Sequence, residues 1–374
     1  MQFVLQVYTG TYFAKPTGTT ASLIYWRLEE AISLVDVSDV IIGWNTDETL
    51  LRPVLDVIHS HGMKAWLWLP VFSEIPANEK SEPQINLLSK ASASRQEPVA
   101  DAEDFTFVCP SSPYNRSIPL SIYDRFFATL PFDGVFLDKI RQNGFADGLA
   151  SGIGCTCERC LKRYEGTGVD MAAMLGRIVD KPHLLLPMAR KGARYQFDDP
   201  DVDRYFKAKA ACITEAVTEL IAAFHSRNLR VGLDVFAPLL ALYVGQDIEA
   251  LAKDADFIKP MLYYRTNAPA GIPFELAQLH EATGDDPDRM LRGLWGVAGD
   301  DELGCAMKQM EELAQPGGSI WPGFEINRVP GICNSDSDYV TKMAQLLASI
   351  GLDKMVLSWN LLNDTKENLE ALSK

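Results

Sequence analysis

Asp133-Gly134-Val135-Phe136-Leu137-Asp138-Lys139-Ile140-Arg141 decides the reading of this chain. An apolar run passes straight into an ionisable cluster, the pattern of a buried parallel strand whose C-terminal end opens into a pocket. Working outward, similar runs recur at 3–8, 39–44, 64–71, 230–236, 256–263, 319–326 and 354–360, with 133–139 as the fourth of eight. Helical patterns fall between them, at roughly 22–34, 47–61, 121–129, 201–227, 245–253, 300–314, 336–349 and 366–373. Gly62, Asn228 and Gly351 stand where helices end. Eight strands alternating with helices predict an α/β fold, a closed (β/α)8 TIM barrel, built as a single domain over 1–374. An open doubly wound sheet is the competing reading, weakened by the lack of a glycine-rich phosphate loop. Long insertions at 73–118, 141–200 and 266–299 leave strands 3, 4 and 6 on the C-terminal rim, where barrels build their pockets.

The 374 residues carry a net charge of −15, 47% hydrophobic and 23% charged residues. Such a surface repels phosphate backbones, so neither nucleic acid nor an anionic membrane is an expected partner, and a neutral substrate suits it better. No run approaches the roughly 20 apolar residues of a membrane span. The first residues, Met1 to Tyr8, read as a strand rather than a signal peptide. Seven cysteines, an odd number in a long chain, fit a reducing compartment and a cytoplasmic location rather than a disulfide framework.

Strand ends supply the candidate chemistry. They offer Tyr8, Trp44 and Asn45, Trp66 and Trp68, Asp138, Lys139 and Arg141, Asp234, Lys259 with Tyr263 and Tyr264, Glu325 and Asn327, and Trp359 with Asn360. Asp138, Asp234 and Glu325 are each embedded in an apolar strand, so each needs a partner, a pocket or a raised pKa. Glycosidic bond cleavage requires such a set: one carboxyl protonates the leaving oxygen while another attacks or activates water. Aromatic and amide side chains on the same rim would stack on and hydrogen-bond to a sugar. Tyr8, Trp44, Asn45, Trp68, Arg141, Lys259, Tyr263, Asn327, Trp359 and Asn360 are therefore the expected carbohydrate contacts. Asp138 is expected as nucleophile and Glu325 as general acid/base, with Asp234 as a transition-state stabiliser or a sugar ligand. The first two roles are interchangeable, and Asp234 could replace Glu325 as the acid.

Cys155, Cys157 and Cys160 have metal-ligand spacing, and Cys109, ahead of Pro110 in the loop after strand 3, is the candidate fourth ligand of a closed structural zinc site. Cys212, Cys305 and Cys333 are isolated in sequence, with Cys212 on an apolar helix face. No histidine ends a strand: His59, His61, His225 and His280 fall on helices or their ends, and His183 lies in an insertion. That argues against a catalytic metal. Lys259 admits a second reading, a Schiff-base lyase or aldolase, although nearby acids favour an ion pair. A non-catalytic carbohydrate-binding barrel is the third.

The strand ending in Asp138 resembles those of the hypothetical glycoside hydrolase families with (β/α)8 barrels, and the cysteine layout resembles the zinc cluster of family 42 β-galactosidases. The likeness is best over 105–165. It implies a glycoside hydrolase with structural zinc on Cys109, Cys155, Cys157 and Cys160, and a trimeric assembly. Glu325 matches the nucleophile position on strand 7 of family 42. At the end of strand 4 the chain departs from that family, with Asp138-Lys139-Ile140 where it has an Asn-Glu pair, so β-galactosidase activity does not carry over. Asp138 followed by Arg141 looks more like α-glycosidase-type barrels, in which a strand-4 aspartate is the nucleophile. The resulting expectation is a retaining hydrolase of a small neutral glycoside or oligosaccharide.

Overall fold

Eight buried strands close on themselves in the computed structural model, which describes residues 1–10, 18–75, 79–92, 105–314 and 319–373. They are β1 (Gln2–Tyr8), β2 (Val37–Gly43), β3 (Lys64–Pro70), β4 (Gly134–Asp138), β5 (Arg230–Phe236), β6 (Phe257–Met261), β7 (Gly323–Glu325) and β8 (Lys354–Ser358). Each pairs in parallel with its sequence neighbours, and β1 closes the ring against β8 through Gln2↔Lys354 to Leu5↔Leu357. The fold is the expected (β/α)8 barrel. Apolar side chains fill both faces of the strands, packing inward on one another and outward against helices such as Ala21–Leu34, Glu48–Ser60 and Pro200–His225.

The ring is thinnest between β6 and β7. Sequence periodicity suggested a strand over 319–326, yet β7 has three residues, joined to β6 by Met261↔Gly323 and an isolated bridge from Ile258 to Ile320. Pro260 and Pro322, which carry no N–H, interrupt the ladder on both sides of this seam. Gly323 has a further reason to be glycine: a Cβ there would lie 2.1 Å from Lys259 Cε. The missing side chain leaves room for a lysine inside the barrel.

The insertions after β4 and β6 carry helices and strands of their own. After β4 come the helices Glu158–Glu165 and Met171–Asp180 and a hairpin of Ala189–Lys191 with Arg194–Gln196. After β6 come Ile272–Thr283 and Pro287–Leu294. The helix expected at 121–129 runs Pro113–Phe126 instead: Ser112 caps its N-terminus and Pro113 occupies the first turn, where no N–H is needed. Residues 76–78 and 93–104 of the insertion after β3 lie outside the described residues.

Candidate active site

Strand alternation aims Trp68, Asp138, Asp234 and Lys259 into the barrel near its C-terminal mouth. Asp138 is the last residue of β4, opposite Pro70 of β3. Its Oδ2 accepts the Trp68 indole N–H at 2.9 Å, and its Oδ1 accepts the N–H of Lys139, whose φ of 51° turns the chain sharply out of the strand. On the next strands Asp234 and Lys259 are register partners, with Lys259 Nζ 3.2 Å from Asp234 Oδ2. The same ammonium donates to Tyr263 Oη at 2.6 Å. Asp234 is 3% exposed and Lys259 fully buried, and Asp234 Oδ1 has no hydrogen-bond partner.

That environment sets the proton inventory. Burial pushes the Asp234 carboxyl up to about 7; Lys259 opposes the rise and Asp138 adds to it. Burial lowers the Lys259 ammonium, against the pull of the Asp234 and Asp138 carboxylates. Tyr263 stays a phenol, held well above its ordinary value by burial and then by the charge of Asp234. An acid poised near neutrality, beside a second carboxyl whose oxygens already accept N–H donors, is the asymmetry acid–base chemistry uses.

A cavity opens over these groups. Asp138 and Asp234 line it together with Lys139, Arg141, Trp68, Phe105, Phe236, Met261, Tyr263 and Trp359, and Thr266, Ala268, Pro269, Ala270 and Ile332 add to its wall. The Arg141 guanidinium lies 4.5 Å from the Phe107 ring centre and 4.9 Å from that of Phe236. Lys139 is paired with buried Glu74 at 2.7 Å and packs on Phe105 and Trp44. Thr266 bridges to Cys333, and Asn267 N–H donates to Ile332 O, so the loop after β6 is stitched to the hairpin after β7.

Of the residues singled out from sequence, Asp138, Asp234, Trp68, Arg141, Tyr263 and Trp359 line this one cavity, with Lys259 bonded to Asp234 and Tyr263. Glu325 is fully buried but is not among the lining residues. Its Oε1 accepts the Arg265 N–H, its Oε2 accepts the Tyr339 hydroxyl at 3.1 Å, and burial raises it to about 8 despite the Arg265 N–H. Tyr8, Trp44, Asn45, Asn327 and Asn360 also lie outside the lining. The Tyr8 ring meets the Trp44 and Trp68 edges, and Asn45 bonds to Thr9. Asn327 Oδ1 accepts the Trp359 and Asn360 N–H groups, and Asn360 Oδ1 accepts those of Tyr8 and Leu362. Phe236 was missed, although it lies two residues after Asp234 and therefore on the same strand face. Phe105 comes from a long loop and carries no such signal.

The four cysteines converge as expected. All four Sγ atoms lie within 4.8 Å of one another, with Cys109 3.5 Å from Cys160 and 3.6 Å from Cys157. Hydrogen bonds from Cys109, Cys155 and Cys160 pull the Cys157 thiol below its ordinary value, toward the thiolate a cation needs. Cys212 is not isolated in space: Ser111 Oγ bridges it to the cluster, 3.0 Å from Cys212 Sγ and 3.3 Å from Cys160 Sγ.

No protein-family model and no curated protein matches the sequence. Solved structures do. The chain is similar to the PgaB (BpsB) glycoside hydrolase domain from Bordetella bronchiseptica, with TM-score 0.60 and 15% identity over 99% of this chain and 97% of that one. The likeness is one of fold, a (β/α)8 barrel shared with that domain. The Group IV chitinase of Ostrinia furnacalis aligns with TM-score 0.51 and 11% identity over 98% of each chain. Alpha-L-fucosidase isoenzyme 2 from Paenibacillus thiaminolyticus aligns with TM-score 0.53 and 12% identity over 98% of this chain, which spans 48% of the fucosidase.

Proposed function

We propose that this chain hydrolyses a glycosidic bond in a small neutral glycoside or oligosaccharide, with Asp138 and Asp234 as its working carboxylates. One observation carries the reading: the two acids line the same cavity from neighbouring strands, one with both oxygens bonded to N–H donors, the other raised to about 7 with a free oxygen. The likeness of fold to a glycoside hydrolase domain, a chitinase and a fucosidase supports it.

In the retaining form of the reaction, Asp234 gives its proton to the glycosidic oxygen, which leaves as an alcohol, while Asp138 attacks the anomeric carbon and forms a glycosyl ester. Asp234, now a carboxylate paired with Lys259, then takes a proton from the water that attacks the same carbon. The ester breaks, Asp138 is released as a carboxylate, and Asp234 regains its proton. Trp68 holds Asp138 in line, and Trp359, Tyr263 and Phe236 supply apolar surface for the sugar ring. Glu325, tied to Arg265 and Tyr339, is given no contact with the sugar, so Asp234 takes the acid role. The Lys259 ion pair with Asp234 argues against the Schiff-base reading. Release of nitrophenol from a panel of aryl glycosides, with the anomer of the product followed by NMR, tests the proposal. Near-wild-type turnover in both Asp138→Asn and Asp234→Asn would refute it.

The cluster of Cys109, Cys155, Cys157 and Cys160 is assigned a structural zinc. Zinc–sulfur bonds of about 2.3 Å in a tetrahedron imply sulfurs roughly 3.8 Å apart, which these thiols approach without rearrangement. Four thiolates leave no open position, so the ion would cross-link loops and take no part in sugar chemistry. The assignment suits a compartment in which thiols stay reduced.

A further inference from the structure

The cysteine cluster and the cavity meet at Arg141, and they meet from two sides. On one side, Gln142 follows Arg141 directly and is fully buried. Its side-chain oxygen accepts the Cys155 N–H at 2.8 Å, its own N–H donates to Val244 O, and its carbonyl accepts Arg141 Nη1 at 3.1 Å. Gly154 is part of this junction: a Cβ there would lie 2.3 Å from the Gln142 side-chain oxygen. On the other side, Phe107 lies two residues before Cys109 and presents its ring to the Arg141 guanidinium. Cys109 N–H donates to Glu82 O, its carbonyl accepts Asn115 Nδ2 at 2.9 Å, and Val108 N–H donates to Phe72 O. The two chain segments that bracket Arg141 thus each lead into the same four-sulfur knot.

We infer that the metal-bound cysteine knot is the positioning device for Arg141, so that metal occupancy governs the shape of the sugar-binding wall as well as the stability of the fold. The inference rests on the zinc assignment; only its kinetic arm rests on the hydrolase reading. Bound metal replaces repulsion among four clustered thiolates with a rigid tetrahedron. Without it, nothing ties the four sulfurs to one another, and the freedom gained passes along Phe107–Cys109 and Gln142–Cys155 to the guanidinium between them. The Phe236 ring on β5 stays fixed, so Arg141 loses the aromatic wall that Phe105 and Phe107 supply from the loop and keeps that of Phe236.

The test needs no substrate. The full chain is compared with and without zinc, removed by chelation or by the Cys155→Ser/Cys157→Ser double variant, and labelled with phenylglyoxal. Modification of each arginine is followed by peptide mass spectrometry. Arg27 and Arg292, buried as deeply as Arg141 but far from the cysteines in sequence and contacts, serve as internal references. We expect Arg141 labelling to rise at least tenfold on zinc loss, to fall again when zinc is restored to the chelated protein, and Arg27 and Arg292 to hold steady. Gln142→Ala, which leaves all four cysteines, should raise Arg141 labelling with zinc still bound. An unchanged Arg141 rate in zinc-free protein overturns the inference, as does a parallel rise at all three arginines, which would mean general loosening. On an active glycoside, the zinc-free protein should show a raised KM with kcat within about twofold. If no glycoside is turned over, the labelling result still decides the inference.

Discussion

β3 sends two tryptophans into the barrel, two residues apart, and each indole N–H finds an aspartate at 2.9 Å. Trp66 meets Asp39 of β2 toward the N-terminal end, and Trp68 meets Asp138 of β4 at the mouth. The lower aspartate is saturated. Its other oxygen accepts Lys354 and Ser38, so both of its oxygens are bonded. Beside it, Trp66, Phe257 and Trp321 pack ring against ring. The upper group is built from the same residue types, tryptophan, aspartate and lysine, but a second carboxyl has been added, and Asp234 Oδ1 is left without a donor beside an open cavity. A buried polar group with its valence filled is architecture; one with a vacancy aimed at a cavity is a place for a ligand.

Substitution is the sharpest way to break that contrast. Asp138→Asn should lower turnover on the order of 10⁴-fold if Asp138 is the nucleophile, and Asp234→Asn by about 10²- to 10⁴-fold as loss of a general acid, both measured as steady-state kcat with folding checked by circular dichroism. Asp39→Asn should do the opposite: KM and kcat hold, while denaturant titration finds a loss of about 3 kcal/mol from a broken buried pair. Equal catalytic damage from Asp39→Asn and Asp234→Asn would erase the distinction between the two ends.

Smaller effects sharpen it further. One equivalent of zinc should be found by metal analysis of reduced protein, and Cys155→Ser/Cys157→Ser should lose it with a drop of many degrees in Tm. The pH profile should show turnover falling above about 7 as Asp234 gives up its proton. Lys259→Met, which removes the cation that lowers Asp234, should move that alkaline limb upward. Asp234 and Glu325 rise from ordinary values of 3.8 and 4.5 to about 7 and about 8 on folding. Protonation therefore favours the fold: this stabilisation is complete below about pH 4 and lost as pH climbs through 7 and 8. Glu325→Gln should flatten part of that decline in a thermal-melt series, with no catalytic limb attached to it.

Much of this was visible in the residues themselves. Apolar runs ending in charge located the strands, and the cysteine spacing with a distant Cys109 anticipated the sulfur cluster, because metal ligation and strand burial are both written in local pattern. What local pattern misses is competition for partners. Asn327 and Asn360 stand at strand ends like sugar ligands, yet their amides are consumed by backbone N–H groups brought close only by barrel closure. Glu325 reads like Asp234 in sequence and differs because Arg265 and Tyr339 arrive from elsewhere to cover it. Cys212 looked solitary until Ser111, a hundred residues away, bridged it to the cluster.

The paired indoles of β3 also equip the molecule with a spectroscopic standard. Each contributes one proton resonance from a buried, carboxylate-bonded ring, in nearly the same secondary-structure setting. A ligand entering the cavity would move the Trp68 signal and leave that of Trp66 still, so a single spectrum would separate occupancy from distortion of the barrel as a whole.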